Sequence, residues 1–325
     1  MRRVLLLTTP FDRRAHLDGT RRAVLDLLPE LPGHDVAPWV LGRQGTRVTG
    51  ADVLAVEGPA DVFARILSWL RPGDLVHAFL TPRRRTVLAL HAIERRAPVL
   101  HTLTSTPVDK LLMPRMQRTI ATSAWVGRGL DLPVIPMPFA PEPPTLAAPY
   151  KNLLLFAGDA REGGGLLETA EAFRSMSLPW GVRAVLGVAS RAKNTGEVSL
   201  ARDVCARTPD AVLLGEQPSL LPHLTAARAV LLPASHTHAK LDHPRVLLEA
   251  LSAGTRIVVG PAPNLAELLP DPSLGVVVDG VSSLREALED ALVAPDPGPL
   301  AVARVLSARN PRRIAAAYAK LYEAL

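Results

Sequence analysis

Cysteine is almost absent from this sequence, and its absence excludes several kinds of site. With a single cysteine, Cys205, the chain can form no intrachain disulfide and no zinc site built on several thiolates. A single free cysteine usually packs as a small apolar side chain, and thiols stay reduced in a reducing compartment. We therefore expect a cytoplasmic protein.

Aromatic residues and long apolar runs are also scarce. Aromatic side chains make up 4% of the chain, which argues against the stacking platforms that bind single-stranded nucleic acid. No stretch reaches the roughly 18 consecutive apolar residues of a membrane-spanning helix. The apolar run Val4–Leu7 follows two arginines, but it is too short for a secretion signal and lacks a small-residue cleavage site, so we expect a first buried strand.

Positive charge is what the sequence has in excess. The net charge is +6 and the isoelectric point about 10.0, which suggests an anionic partner such as a phosphorylated small molecule, a membrane surface or a nucleic acid. A GC-rich genome explains the arginine content equally well, and no DNA-binding motif supports a nucleic acid. The run Arg83–Arg85 is either a solvated patch or a contact for an anionic acceptor or lipid head groups, so a peripheral position at the inner face of a membrane stays open.

The pattern of apolar residues predicts two α/β domains. The composition, 48% apolar and 21% charged, is that of a globular protein, and 325 residues are enough for two domains. Short apolar segments alternate with helical spacing on both sides of the proline-rich stretch Pro133–Pro149, which predicts parallel sheets with crossover helices. We expect an N-terminal domain over 1–140, a linker over 141–150, a second domain over 151–310, and a C-terminal helix over 311–325 that packs back on the N-terminal domain.

The first candidate site is a glycine-rich loop after an apolar strand. Gly158 ends the strand, and Gly163–Gly165 precede a predicted helix. Glycines let the backbone approach a phosphate, and the free N–H groups of a helix N-terminus attract its charge. Because the spacing matches neither G-x-G-x-x-G nor a P-loop, a simple tight loop is an equal alternative. Arg161 is the cation suited to clamp a phosphate there.

The second candidate site is the polar loop and helix that follow the apolar run Ala229–Leu232. Pro244 begins the helix and Gly254 ends it. Glu249, in the second turn, is suited to accept hydrogen bonds from sugar hydroxyls, although a surface glutamate is the alternative. The loop and the start of the helix offer polar contacts for a sugar or diphosphate, namely Lys240, Asp242 and Arg245. The loop also contains three histidines, His236, His238 and His243. Because they lack the companion carboxylates of a zinc site, we expect no metal.

Histidines in the N-terminal half are candidates for acceptor-side chemistry. His101 lies inside the predicted strand Val99–Leu103, and a strand histidine is most often a hydrogen-bonded core residue. His77 follows the buried residues Asp74–Val76, and we expect it at the carboxyl end of its strand, where ligands bind in α/β folds. His16 lies in the polar loop after the first strand.

Four segments of the second half occur in a fixed order. Together they resemble the retaining, nucleotide-sugar-dependent glycosyltransferases of family 4, which have the GT-B architecture, and the resemblance is strongest over residues 150–280. The first half is more loosely similar, at Asp74–Ala78 and Ile135–Pro138. The four segments are Leu155–Gly158, Val212–Gly215, Val230–Ser235 and Arg245–Gly254.

This resemblance implies an α/β fold with two Rossmann-like, doubly wound parallel-sheet domains facing a cleft, the second binding the donor and the first the acceptor. It implies a bacterial glycosyltransferase of glycan biosynthesis, of hexosyltransferase type, that retains the anomeric configuration. Such an enzyme needs no metal or cofactor, because basic side chains and helix termini neutralise the leaving diphosphate. The catalytic residues would be His77, His16 and Asp242, and the donor contacts Gly158, Arg161, Lys193, Gly215, Gln217, Pro218, Lys240, His243, Pro244, Arg245 and Glu249, of which Glu249 would hold the ribose.

The sequence departs from the family pattern at two places. Asp159 stands where an arginine commonly follows the first glycine, so that a negative charge lies beside the diphosphate unless Arg161 or Lys193 compensates it. Leu241 occupies the position of the family's first acidic residue, with Asp242 one residue later. These departures favour an alternative function, a non-catalytic GT-B-fold binding or scaffold protein with a degenerate donor site.

Overall fold

The chain forms two compact units in a computed structural model, which describes residues 1–12, 18–58, 61–105, 118–143, 145–161, 163–190, 195–236 and 241–325. Unit 1 comprises Met1–Ala140, His238–Pro244 and Ala308–Leu325, and unit 2 comprises Pro141–Thr237 and Arg245–Ser307. The sequence assigned residues 241–244 to the second domain, whereas their contacts group them with unit 1.

A six-stranded parallel sheet forms the centre of unit 1, with strand order β3-β2-β1-β4-β5-β6. The strands are β1 (Arg2–Phe11), β2 (Val36–Arg43), β3 (Asp52–Val56), β4 (Leu75–Leu80), β5 (Val99–Leu103) and β6 (Arg118–Ala121). The helices before the linker are α1 (Gly19–Leu27), α2 (Asp61–Trp69), α3 (Arg84–Glu94) and α4 (Ala124–Leu130).

The central position of β1 follows from its sequence. The apolar run Val4–Leu7 is at most 5% exposed, as expected for a parallel strand that is covered on both faces. Val4 and Leu6 pack with α1 on one face of the sheet, and Leu5 and Leu7 pack with α2 and α3 on the other. Alternation along one strand thus builds two apolar layers.

A second parallel sheet of six strands forms unit 2, in the order β12-β11-β10-β7-β8-β9. Its strands are β7 (Leu153–Gly158), β8 (Val185–Ser190), β9 (Ala211–Leu213), β10 (Ala227–Leu232), β11 (Arg256–Val259) and β12 (Gly275–Val277). Its helices are α5 (Leu166–Arg174), α6 (Thr195–Arg207), α7 (Leu221–Ala226), α8 (Arg245–Ser252), α9 (Pro263–Ala266), α10 (Val281–Val293) and α11 (Pro299–Ser307).

Both sheets have the same topology. Counted within each unit, the order is 3-2-1-4-5-6, the doubly wound arrangement of dinucleotide-binding folds. In unit 2, Leu154 and Phe156 pack with α5, α6 and α10 on one face, and α7 and α8 contact the strands from the other. The predicted fold class, two Rossmann-like parallel-sheet domains, is confirmed.

The last helix, α12 (Pro311–Glu323), packs on the sheet of unit 1. Asn310 caps it, because the Asn310 side chain accepts hydrogen bonds from the N–H groups of Arg312 and Arg313. Ile314, Tyr318 and Tyr322 are buried against the α1 side of the sheet. No helix in the described part of the chain is long and apolar enough to cross a bilayer.

Two helices were absent from the sequence prediction. Helix α4 contains Gly127 and Gly129, which lower helix propensity. Gly127 is needed there, because a Cβ on it would collide with the side chain of Val134. Helix α11 begins at Pro299, within a proline-rich segment that argues against a helix, although proline is favoured at the first helical position.

Candidate functional site

The candidate site lies at the carboxyl edge of the unit 2 sheet. Strand β7 is hydrogen bonded to β8 on one side and to β10 on the other, so the strand order reverses between β7 and β10. In open α/β sheets, ligands bind in the crevice at such a switch point. The loop that starts at Gly158 leaves β7 here, and the loop that starts at Pro233 leaves β10. The two sequence motifs thus adjoin.

The glycines of the first loop are required by its contact with the second. The N–H of Ser235 donates to the carbonyl of Gly163 at 3.3 Å. A Cβ on Gly163 would lie 2.9 Å from Nε2 of His236, and one on Gly165 would lie 2.6 Å from Cγ of Pro233. Both glycines also have positive φ, 69° and 87°. The glycine run therefore lets two loop backbones pack at the switch point.

A third loop, after β11, joins this packing. A Cβ on Gly260 would collide with the carbonyl of Ala234, and the N–H of Gly260 donates to the carbonyl of Leu232 at 3.0 Å. The carboxyl ends of β7, β10 and β11 thus hold one compact group of loops.

Helix α5 points its N-terminus at this edge of the sheet. Gly165 is its N-cap and has no side chain with which to bond the first N–H groups of the helix. Uncapped N–H groups and the positive end of the helix dipole attract anions. The first turn also carries one carboxylate, Glu168, which opposes that attraction. This helix end is suited to a phosphate that brings additional contacts.

Arg161 and Asp159 form an ion pair within the glycine loop. Nε of Arg161 lies 3.4 Å from Oδ2 of Asp159, and the two side chains are 30% and 14% exposed. Asp159, the departure from the family pattern, is thus compensated by Arg161. The role of Arg161 as a phosphate contact remains a prediction.

Ser190 is a polar group of this edge that the sequence analysis missed. It is the last residue of β8, it pairs in register with Gly158, and it is 5% exposed. Its hydroxyl has no hydrogen-bond partner among the described residues. An unsatisfied buried hydroxyl costs about 1–3 kcal/mol, and a ligand that bonds to it removes that cost. In the sequence, the one feature that marks Ser190 is that it ends an apolar segment; its position beside Gly158 is visible only in the structure.

The predicted base-binding residues follow β9, next to β8 in the sheet. Gly215 has φ 65°, and its N–H and that of Leu214 both donate to the carbonyl of Val188. The side-chain amide of Gln217 donates to the carbonyl of Leu214, and Pro218 is exposed. The structure therefore brings Gly215, Gln217 and Pro218 to the same edge as Ser190.

Helix α8 carries the predicted sugar and ribose contacts. Pro244 precedes its first residue, Arg245. Nε of Arg245 donates to Oε1 of Glu249 at 2.8 Å, one turn away, and the two side chains are 10% and 25% exposed. The other side of the helix is buried and includes Leu247, Leu248 and Leu251. Glu249 is thus a partly exposed carboxylate held in place by its own helix.

Asp242 lies elsewhere than predicted. The sequence placed it at the donor sugar, but it belongs to unit 1 and is 1% exposed. Its Oδ2 accepts hydrogen bonds from the hydroxyls of Thr122 and Ser123, each at 3.0 Å, and its N–H donates to the carbonyl of Thr104 at 3.2 Å. The carboxylate anchors residues 241–244 to the carboxyl ends of β5 and β6.

His243 joins the same anchor. Its Nδ1 accepts a hydrogen bond from Nη2 of Arg309 at 3.1 Å, and both side chains are buried. The carbonyl of Arg309 accepts a hydrogen bond from the N–H of Phe139. The donor contact predicted for His243 thus falls on a residue that is bonded inside unit 1.

His77 lies in the middle of β4 rather than at its end. It is the third of six residues in that strand and is fully buried. Its Nδ1 is hydrogen bonded to the Tyr322 hydroxyl at 2.6 Å, and its Nε2 to the Thr102 hydroxyl at 2.8 Å. Burial, with a smaller effect of the nearby His101, holds the pKa of His77 well below its ordinary value. The predicted catalytic role is not supported, because both nitrogens are engaged in the core.

Three of the predicted residues, His16, Lys193 and Lys240, lie outside the described residues, as does His238. Within the described ranges, no group of three or more histidine, cysteine or acidic side chains is arranged to hold a metal ion.

Comparisons with known proteins agree on the fold. No protein-family model and no curated protein matches the chain. HepE of Anabaena, solved with UDP and glucose, is 13% identical, with a TM-score of 0.74 and all of both chains covered. AviGT4, a glycosyltransferase involved in avilamycin A biosynthesis, is 20% identical, with a TM-score of 0.71 over 99% of this chain and 97% of that one. Sucrose-phosphate synthase of Thermosynechococcus elongatus is 15% identical, with a TM-score of 0.73 and coverages of 99% and 98%. The chain therefore has the GT-B fold predicted from its sequence.

Proposed function

We propose that this protein is a glycosyltransferase of hexosyltransferase type that transfers a sugar from a nucleoside diphosphate to an acceptor hydroxyl. The fold is shared over the whole chain with AviGT4 and with HepE, which was solved with UDP and with UDP-glucose. The observation that carries the proposal is the edge of unit 2 where the glycine loop and the N-terminus of α5 adjoin the hydroxyl of Ser190, which has no hydrogen-bond partner among the described residues.

In this proposal the diphosphate binds at the N-terminus of α5. The N–H groups of the first turn donate to phosphate oxygens, and Arg161 adds a cation from the same loop. Gly158, which pairs in register with Ser190, has to be a glycine because a Cβ on it would lie 2.9 Å from Cδ1 of Leu232. The Ser190 hydroxyl then donates its missing hydrogen bond to the ligand.

The nucleoside would occupy the neighbouring loops. Glu249 accepts hydrogen bonds from the ribose hydroxyls, because it is a partly exposed carboxylate whose position is fixed by its bond to Arg245. Gly215, Gln217 and Pro218 lie beside the base. These roles follow the family pattern that the sequence resembles.

The transfer breaks the bond between the anomeric carbon and the diphosphate oxygen. The acceptor oxygen forms the new bond to the same carbon, and its proton passes to the departing diphosphate. The α5 dipole and Arg161 stabilise the negative charge that develops on the leaving group. We propose retention of configuration without a metal ion, with the rate arising from donor positioning and this electrostatic stabilisation.

A second candidate function is a non-catalytic GT-B-fold protein that binds a nucleotide sugar or a partner without turnover. The observation in its favour concerns Asp242, the acid next to the position of the family's first acidic residue, because its carboxylate is buried and accepts hydrogen bonds from Thr122 and Ser123 of unit 1. The pairing of Asp159 with Arg161 removes the other departure as an argument for this alternative.

A ligand screen followed by a turnover assay distinguishes the two functions. The unfolding temperature is measured against UDP-, GDP-, ADP- and dTDP-sugars, and a ligand at about 100 times its Kd stabilises by about 2.7 kcal/mol. Release of free sugar from the stabilising donor is then measured for the wild type and for Glu249→Gln. The matched control is Glu286→Gln, an exposed glutamate of α10.

The proposal expects donor hydrolysis that Glu249→Gln abolishes and Glu286→Gln leaves intact. Stabilisation by a nucleotide sugar without any sugar release supports the non-catalytic alternative. The absence of stabilisation by every donor contradicts both.

A further inference from the structure

Helix α3 of unit 1 presents a face that the proposed donor site does not use. Its apolar residues Val87, Leu90 and Ile93 are buried on the sheet. The opposite face, here called the α3 basic face, consists of exposed residues in the helix and its last turn: Arg84, Arg85, Leu88, His91, Arg95 and Arg96.

Positive charge is concentrated on this helix. Residues 83–96 contain five arginines and one glutamate, a formal charge of +4 out of the +6 of the whole chain. The glutamate, Glu94, is bonded to His91 at 3.3 Å, and its side chain is 16% exposed. Because Glu94 is the one acid within residues 83–96, the arginines of this segment repel one another, and an anionic partner offsets that repulsion.

The middle of the face is apolar. Leu88 is 61% exposed. Arg84 and Arg95 lie four residues before it and seven after it, so all three share one side of the helix. This stripe is about 17 Å long, from 11 residues at 1.5 Å each. Arginine side chains can extend from such a face to phosphates while their methylene stems cover the apolar centre.

We propose that the α3 basic face docks the protein on an anionic membrane surface. The arginines contact lipid phosphates, and Leu88 enters the boundary between head groups and acyl chains. Nucleic acid fits this face less well, because its centre is an aliphatic side chain and none of its residues is a phenylalanine, tyrosine or tryptophan on which a base could stack. Each arginine near an anionic surface raises the partition coefficient about fivefold.

Vesicle co-sedimentation of the full chain tests this proposal. The vesicles contain phosphatidylcholine alone or with one third phosphatidylglycerol. The test variant is Arg84→Gln/Arg85→Gln/Arg95→Gln. The matched control is Arg202→Gln/Arg304→Gln/Arg312→Gln, which removes the same charge from exposed positions of α6, α11 and α12. Thermal unfolding shows whether each variant is folded.

The expected result is binding to the anionic vesicles only, weakened about 100-fold in the test variant and little in the control. Leu88→Ser should weaken binding several-fold without changing its dependence on salt. Because the Debye length falls from about 10 Å to about 3 Å between 0.1 and 1 M salt, wild-type binding should be lost at high salt.

Three outcomes overturn the proposal. The first is that the wild type does not bind anionic vesicles. The second is that both triple variants lose binding equally, which would mean that only the net charge matters. The third is that vesicles are not bound, whereas duplex or single-stranded nucleic acid is bound and the test variant loses affinity for it. None of the substituted residues is a proposed donor contact, so sugar release in both triple variants reports the proposed enzymatic function separately.

Discussion

Removal of the Ser190 hydroxyl should have opposite effects on stability and on ligand binding. Ser190 is 5% exposed, and its buried hydroxyl has no hydrogen-bond partner among the described residues. Ser190→Ala should therefore leave unit 2 as stable as the wild type or more stable, by up to about 1–3 kcal/mol. In the proposed complex the hydroxyl donates to a charged phosphate, a bond worth about 1.5–3 kcal/mol. The variant should bind the nucleoside diphosphate about 10–150 times more weakly.

Two measurements on the same protein samples separate this role from a structural one. Urea unfolding gives the free energy of unfolding of the unliganded protein, and calorimetric titration gives the Kd of the nucleoside diphosphate. Ser282→Ala, at an exposed serine of α10, is the control and should change neither value. A Ser190→Ala variant that is less stable, yet binds the nucleotide as well as the wild type, would refute the reasoning.

Three further predictions concern the core and the glycine loop. Tyr322→Phe leaves a ring nitrogen of His77 unsatisfied and should lower the free energy of unfolding by about 1–3 kcal/mol in urea titrations; Tyr318→Phe, which removes a weaker 3.3 Å bond to Thr102, should cost less. Burial lowers the pKa of His101 to about 4 and lowers that of His77 as well. The unfolded chain therefore binds more protons than the folded one below about pH 6.5. From His101 alone, the free energy of unfolding should fall by about 2 kcal/mol between pH 7 and pH 5. A free energy of unfolding that stays constant over this range would contradict the burial of these histidines. Gly165→Ala forces a Cβ towards Pro233 at a φ of 87°; it should weaken nucleotide binding more than Gly181→Ala, where φ is 81° but no atom lies within 4 Å.

The sequence was sufficient for the fold because apolar runs and breakers mark its strands. Strand β5 begins and ends at the predicted residues, Val99–Leu103. Parallel strands buried on both faces read as continuous apolar segments, and the alternation of such segments with helices leaves few topologies. Helix α4 was missed because Gly127 reflects a tertiary contact with Val134, which local propensity does not encode.

The candidate site was only partly predictable. The glycine loop was found, but its packing against Pro233 and Ser235 depends on residues about 70 positions away. Asp242 was misplaced because its partners, Thr122 and Ser123, precede it by about 120 residues. Ser190 could not be singled out from the sequence, since only the structure shows that its hydroxyl has no hydrogen-bond partner among the described residues.

His77 shows a different limit of sequence patterns. Its position after an apolar run is equally compatible with the end of a strand and with its interior. The bonds that settle its role come from Thr102 in β5 and Tyr322 in α12, and the latter lies 245 residues away. A buried histidine with two bonds holds α12 on the sheet, and the pattern of one strand does not reveal this.

The proposed function places a nucleoside diphosphate at the carboxyl edge of the unit 2 sheet. Hydrogen–deuterium exchange of the full chain, with and without the nucleotide that stabilises it most, tests this position. We expect slower exchange in peptides that cover the first turn of α5 and the end of β8 at Ser190, with no change in β2 and β3 of unit 1. Unchanged exchange at α5 and β8 under saturating nucleotide, or protection confined to unit 1, would contradict it.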